Sequence, residues 1–359
     1  MSANSNPSPD TPAAAAAPPR RREQEEVPAR LMVGPSPHLR SPETVPWIMG
    51  WVVLALLPGC LVSVWYFGVE ALRVLALSTV FCVGVEWVCL RTMKTPGALK
   101  DYSAVVTGIL LGMNLPATSP WWLIATGAVV AMLVAKHLFG GLGANIFNPV
   151  LTARVFLLVS WPVHMTTWMR PGTRGWMSAD ADIAAITEAT PLGLLKEGQL
   201  SQVAATSQDL LFGNLGGSVG EISALALLLG GVLLLAKRII TWEIPVTFMG
   251  SVAVITGLAY LWGEPGAYAP PHFHVLSGGL VLGAVFMATD MVTSPLTFRG
   301  RVIFGLGCGV LTAVIRLWGG YPEGVSFAIL LMNAVVPLLD HYLRPKTFGS
   351  TTMVVEVAR

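Results

Sequence analysis

Several short stretches of this 359-residue chain carry residue types that can hold a ligand or a charge. The densest is Gly140-Gly141-Leu-Gly143-Ala-Asn145-Ile-Phe147-Asn148-Pro149. Glycine lets a flat ligand approach the backbone closely, and Asn145 and Asn148 offer both donors and acceptors. A tight re-entrant turn whose asparagines satisfy stray carbonyls is the alternative. A second stretch, Thr187-Glu188-Ala189-Thr190-Pro191-Leu192, follows two acids, Asp180 and Asp182. A third runs from Gly213 through Gly216, Gly217 and Ser218 to Glu221. Ser218 with Glu221 three residues on has the spacing of a capping box, which predicts a helix start there. Such a start among glycines is a natural anion site; a plain capped helix is the other reading.

Ionisable side chains inside apolar runs form another group: Glu86, Arg154, Asp290, Arg316, Glu323 and Asp340. A charge at a bilayer centre costs about 2.5–3.5 kcal/mol on insertion scales. Most of these sit near the end of a run, where snorkelling is sufficient. Glu86 and Arg154 are deeper, so an ion or proton path and helix-bundle glue are both open for them. The four cysteines lie in apolar runs without C-x-x-C spacing, which excludes an iron–sulfur cluster built by this chain alone. His272 and His274 form an H-x-H with no nearby carboxylate or cysteine, so no metal site is expected. Neither a phosphate-binding P-loop nor a Ser-His-Asp arrangement appears, so acid–base catalysis by this chain is not expected.

The elements that position these residues follow from composition. The chain is 53% apolar and 12% charged, with mean hydropathy +0.65. A soluble domain carries about 25% charged residues. A soluble enzyme is thereby excluded, and a net charge of +2 gives no footprint for nucleic acid. Ten apolar spans are expected: 47–67, 69–90, 103–114, 120–135, 150–162, 219–236, 244–262, 275–290, 302–318 and 325–343. Crossing a bilayer takes about 20 apolar residues, and the third and fifth spans are too short to cross alone. Thr118-Ser119-Pro120 and Gly140-Gly141 in the first half are echoed by Thr293-Ser294-Pro295 and Gly319-Gly320, each five spans later. Five is odd, so the second copy would be inverted. An all-α polytopic protein is expected, a 5+5 inverted repeat with short or broken helices at the repeat interface.

Sixteen of the 22 basic residues fall on one side of the ten-span arrangement, and the positive-inside rule makes that side cytoplasmic. The N- and C-termini are then cytoplasmic. Residues 1–45 hold nine of the 26 prolines and read as a disordered, solvated tail. The first membrane repeat occupies 46–162, a periplasmic loop 163–218, the second repeat 219–344 and a cytoplasmic tail 345–359.

Taken in order, Leu99-Lys100-Asp101, the Gly140–Pro149 stretch, Ala189–Leu192, Gly216–Glu221, Ala288-Thr289-Asp290, Tyr321–Gly324 and Asn333-Ala334 with Pro337 and Asp340 resemble one family. It is that of the D subunit of the Rnf ion-translocating electron-transfer complex, similar to the B subunit of the sodium-pumping NADH:quinone reductase. The resemblance runs from about Pro46 to Arg344. It implies that a flavin transferase joins FMN by a phosphoester to Thr190, in a motif that here carries Glu188 where glycine is expected. Gly216, Gly217, Ser218 and Glu221 would border that group. A second, noncovalent flavin (riboflavin, by analogy) would lie near Gly140, Gly141, Asn145 and Asn148.

The resemblance further implies partner subunits of the A, B, C, E and G types in a bacterial inner membrane. Electron flow between ferredoxin and NAD in the whole complex would then drive Na⁺ or H⁺ across the bilayer, with Glu86, Arg154 and Asp290 as ion-path candidates. Two other readings stay open: a quinone-reducing B-type subunit, and a solute or ion channel of the inverted-repeat kind.

Overall fold

The computed structural model describes residues 43–93, 98–172, 189–198, 207–213, 215–263 and 268–344. The N-terminal tail and the 173–188 stretch, with Asp180, Asp182, Thr187 and Glu188, lie outside the described residues, as does the C-terminal tail from 345. Among the described residues the regular structure is helical. Six helices are long and apolar enough to cross a membrane: α1 (Val45–Phe67), α2 (Val69–Met93), a run from Trp121 to Phe139, and three later ones. This supports a polytopic membrane protein, with fewer full-length spans than the ten expected.

The shorter apolar helices α3 (Ser103–Met113) and α5 (Pro149–Ser160) are the third and fifth spans, and they fall short as their length required. Between them, α4 (Trp121–Val129) continues into a π-turn over Val130–Val134 and a 3₁₀ turn over His137–Phe139. α6 (Pro191–Lys196) is a short helix after Thr190. α7 (Ala224–Ala236) is the third short apolar helix, and α8 (Glu243–Trp262) is long. α9 (Pro271–Leu276) is the first piece of a broken element that resumes at Leu280–Leu282 and ends in a second π-turn, Gly283–Met287. α10 (Phe298–Trp318) and α11 (Val325–Tyr342) complete the order.

α5 begins where the sequence says it should. Asn148 Oδ1 accepts from the Val150 and Leu151 amides at 3.0 and 3.3 Å, and Pro149 occupies the first helical position. The expected start at Ser218 is not observed. α7 begins at Ala224, and its cap is Ser223, whose Oγ accepts from the Ala226 amide at 3.3 Å. The reason lies in pairing: the Val219 and Gly220 amides donate to the Leu115 and Met113 carbonyls at the end of α3, which holds this stretch as a turn against that helix end.

The helices are apolar on most faces, and Leu61, Trp65, Val80, Leu261 and Trp262 point outward, as lipid contact requires. Without a hydrophobic drive between helices in lipid, close packing depends on small residues. Gly108 and Gly112 of α3 lie against α2, where a Cβ on Gly108 would stand 2.5 Å from Thr79 Cα. Gly305 and Gly309 of α10 do the same against α8, where a Cβ on Gly309 would meet Phe248 O at 2.6 Å and overlap Ser251 Oγ. Gly309→Ala should therefore lower stability by about 1–3 kcal/mol through overpacking. Gly84→Ala, with nothing within 4 Å of its added Cβ, should be neutral. Thermal unfolding in detergent reads both, and equal midpoints for the two variants would remove this packing argument.

Candidate functional site

Two buried polar clusters sit at opposite ends of α3, whose 11 residues span about 16 Å at 1.5 Å per residue. At its C-terminal end lies Arg154 of α5, 6% exposed. Arg154 Nη1 donates to Asn114 Oδ1 at 2.6 Å; Nη2 donates to Glu221 Oε1 at 3.0 Å and to Glu323 Oε2. Glu323 Oε1 also accepts from the Gly279 amide at 3.3 Å, in the break after α9. Burial is the largest single influence on the Glu323 carboxyl and raises it, but Arg154, Glu221, Arg316 and the Gly279 amide together hold it below the usual carboxylate range.

Arg316, expected to snorkel from a span end, is instead buried. It donates to the His274 carbonyl and, at 3.2 Å, to the Ser277 carbonyl, which the break after α9 would otherwise strand. Thr190 adjoins this cluster. It precedes α6 and is half-buried, and its Oγ1 accepts from the Gly193 amide at 3.1 Å. The pocket at Thr190 is lined by Leu192, Gly216, Glu221, Gly278 and Glu323 among others. Of the residues the sequence linked to Thr190, Gly216 and Glu221 reach this pocket. Gly217 and Ser218 are buried in the non-helical stretch against the end of α3 and do not line it.

At the N-terminal end of α3, Glu86 of α2 is 1% exposed and pairs with Lys136. Lys136 was expected in a wet cytoplasmic loop, yet it is 3% exposed, because the π-turn of α4 carries it inward. Its Nζ also donates to Ser103 Oγ at 2.7 Å, and the Ser103 hydroxyl and amide donate to Asp101 Oδ1 at 2.7 and 2.9 Å. His137 Nε2 stands 3.7 Å from Glu86. A hydrogen-bonded chain thus runs from half-buried Asp101 to a fully buried carboxylate.

Beside this chain lies a largely apolar cavity of about 130 Å³, walled by α1, α3, α7 and the second π-turn. Its polar margin is Ser103, Lys136, Asn145, Asn148, Thr289 and Asp290. Asn148 Nδ2 donates to the Met287 carbonyl at 3.2 Å, joining the Gly140–Pro149 turn to the second π-turn. Asp290 accepts from Thr293 Oγ1 at 3.2 Å and from the Val292 amide at 3.4 Å. Gly140 and Gly141 are not among the lining residues. With φ of +117° and +95° they turn the chain so that Asn145 and Asn148 face inward. Their echo does not share that shape, since Gly319 has φ −76° and ends α10.

The architecture defines a class: a multi-pass helical membrane protein with broken helices, π-turns and ion pairs buried between helices. Comparison with known proteins narrows it. The model of the NQR2, RnfD, RnfE family matches residues 32–349, and the chain belongs to this family. It is 44% identical over 326 residues to the D subunit of the proton-translocating ferredoxin:NAD(+) oxidoreductase complex of Clostridium ljungdahlii, covering 89% of this chain and 96% of that one. It is likewise 44% identical over 329 residues to the D subunit of the Na(+)-translocating ferredoxin:NAD(+) oxidoreductase complex of Acetobacterium woodii, covering 91% and 98%. The D subunit of an ion-translocating oxidoreductase complex of Vibrio vulnificus is 39% identical over 353 residues, with 88% and 99% covered.

Proposed function

We propose that this chain is the flavin-carrying membrane subunit of an Rnf-type complex, coupling electron transfer between ferredoxin and NAD to Na⁺ or H⁺ translocation. The observation that carries this reading is the full-length similarity to D subunits of ferredoxin:NAD(+) oxidoreductase complexes. Relatives named for protons and for sodium are equally similar, so the coupling ion is left at Na⁺ or H⁺. The chain works with the other subunits of such a complex (A, B, C, E and G types) in a bacterial inner membrane, with both termini cytoplasmic. Its ten helical spans form a 5+5 inverted repeat with α3, α5 and the broken α9 element at the interface.

A flavin transferase attaches FMN through a phosphoester to Thr190. Thr190 is half-buried beside exposed Ala189, and Gly216 and Gly278 are two positions without side chains at the small pocket beside it. A noncovalent flavin would lie at the second cavity, whose walls are apolar and whose polar residues include Asn145, Asn148, Ser103 and Lys136. When bound, the flavins supply the redox chemistry; the chain supplies position and electrostatics. Arg154, with Glu221 and Glu323, fixes the wall behind Thr190, while Lys136 presents a cation to the other cavity. Glu86, Arg154 and Asp290 belong to the ion path, and the Asp101–Ser103–Lys136–Glu86 chain gives Glu86 an exchangeable connection toward the surface.

In-gel fluorescence of the denatured subunit under ultraviolet light should show a flavin band that Thr190→Ala abolishes. A dark wild-type band from cells expressing the flavin transferase would sink the covalent-flavin reading. Glu86→Gln should lower the number of ions translocated per electron in sealed vesicles while leaving the Thr190 flavin attached. Unchanged pumping would remove Glu86 from the path.

A further inference from the structure

Next to the Thr190 pocket lies a third cavity, of about 140 Å³, that the reading above does not use. Lys196, Tyr268, His274, Arg316 and Pro322 line it, and no carboxylate is among its described lining residues. Leu192 borders both this cavity and the Thr190 pocket.

The donors here are left over from other tasks. His274 is 1% exposed, and neither of its ring nitrogens has a hydrogen-bond partner. Arg316 is 5% exposed, and its Nη1 and Nη2 are engaged by backbone carbonyls while Nε is buried without a partner. Lys196 Nζ donates one bond to the Arg316 carbonyl at 3.1 Å, which leaves two of its three protons. Charge points the same way. Arg154 bonds to both Glu221 and Glu323, while neither Arg316 nor Lys196, joined through the Arg316 carbonyl, forms an ion pair among the described residues. Buried polar groups normally find partners and buried charges normally find counter-charges. One anion with several acceptor oxygens meets both demands.

We propose that this cavity binds a phosphate-class oxyanion, held by Arg316 Nε, the Lys196 ammonium and a His274 N–H. Two sources share that chemistry: a free anion such as inorganic phosphate, and the phosphoryl group of a flavin attached at Thr190. The second source rests on the functional reading above; the first does not.

Thermal unfolding of the purified complex separates them, with inorganic phosphate titrated against chloride at constant ionic strength. The arms are wild type, Thr190→Ala and Lys196→Gln, with wild-type chain from cells lacking the flavin transferase as a mutation-free counterpart of Thr190→Ala. Where the cavity is open, phosphate should raise this subunit's midpoint by about 2–4 °C or more. A rise in all chains except Lys196→Gln assigns a free anion, and holds even if Thr190 proves unmodified. A rise confined to the Thr190→Ala and transferase-free chains assigns the tethered phosphoryl group. No rise in any chain, or a rise that survives Lys196→Gln, overturns the proposal.

Discussion

Burying one guanidinium is the constraint from which most of this structure follows. An uncompensated ion inside a low-dielectric interior costs several kcal/mol even after relaxation, so Arg154 must be met by partners. They arrive from three separate places: Asn114 at the end of α3, Glu221 ahead of α7 and Glu323 ahead of α11. Glu323 also accepts from Gly279, which ties in the broken element that follows α9. A single side chain on α5 therefore fixes loops from both halves of the sequence. The same loops form the wall behind Thr190, so the position of that threonine depends on the ion pair. Arg316 completes the arrangement by covering carbonyls exposed where the helix breaks.

The cluster at the other end of α3 follows the same logic with different parts. Glu86 cannot stay charged at 1% exposure without a counter-charge, and Lys136 is delivered by a π-turn that shifts the helix register at its end. π-turns are costly interruptions found mostly at functional sites. Both described here end at the same cavity, one through Lys136 and the other through Phe286 and Asp290. Between the two clusters, Val106, Leu110 and Leu111 keep α3 apolar. The molecule thus holds charge at two depths, with a pocket against each.

Much of the helical architecture was legible in the sequence, because a bilayer imposes long apolar runs. The short third and fifth spans are readable from residue type and order, whereas the link between Thr190, Gly216 and Glu221 came from the family resemblance. Pairing was not legible. Glu86 and Lys136 are 50 residues apart, and Arg154 and Glu323 are 169 apart, so no local pattern joins them. Lys136 looked like a loop lysine because hydropathy cannot register a π-turn; the unmatched burial of Glu86 was the only hint that a base must come to it. The capping box at Ser218 failed for a related reason, since backbone bonds to Met113 and Leu115 outweighed a local cap. Tertiary demands decided each of these cases.

The central claim is that Arg154, Glu221 and Glu323 act as one electrostatic unit. A thermal-stability cycle on the assembled complex tests it, comparing Arg154→Met, the double variant Glu221→Gln/Glu323→Gln, and the three substitutions together. Removing the arginine alone leaves two carboxyls facing each other in a buried site and should cost about 3–5 kcal/mol. The account predicts that the triple variant is more stable than Arg154→Met alone. Losses that simply add, leaving the triple variant the least stable of the three, would contradict it.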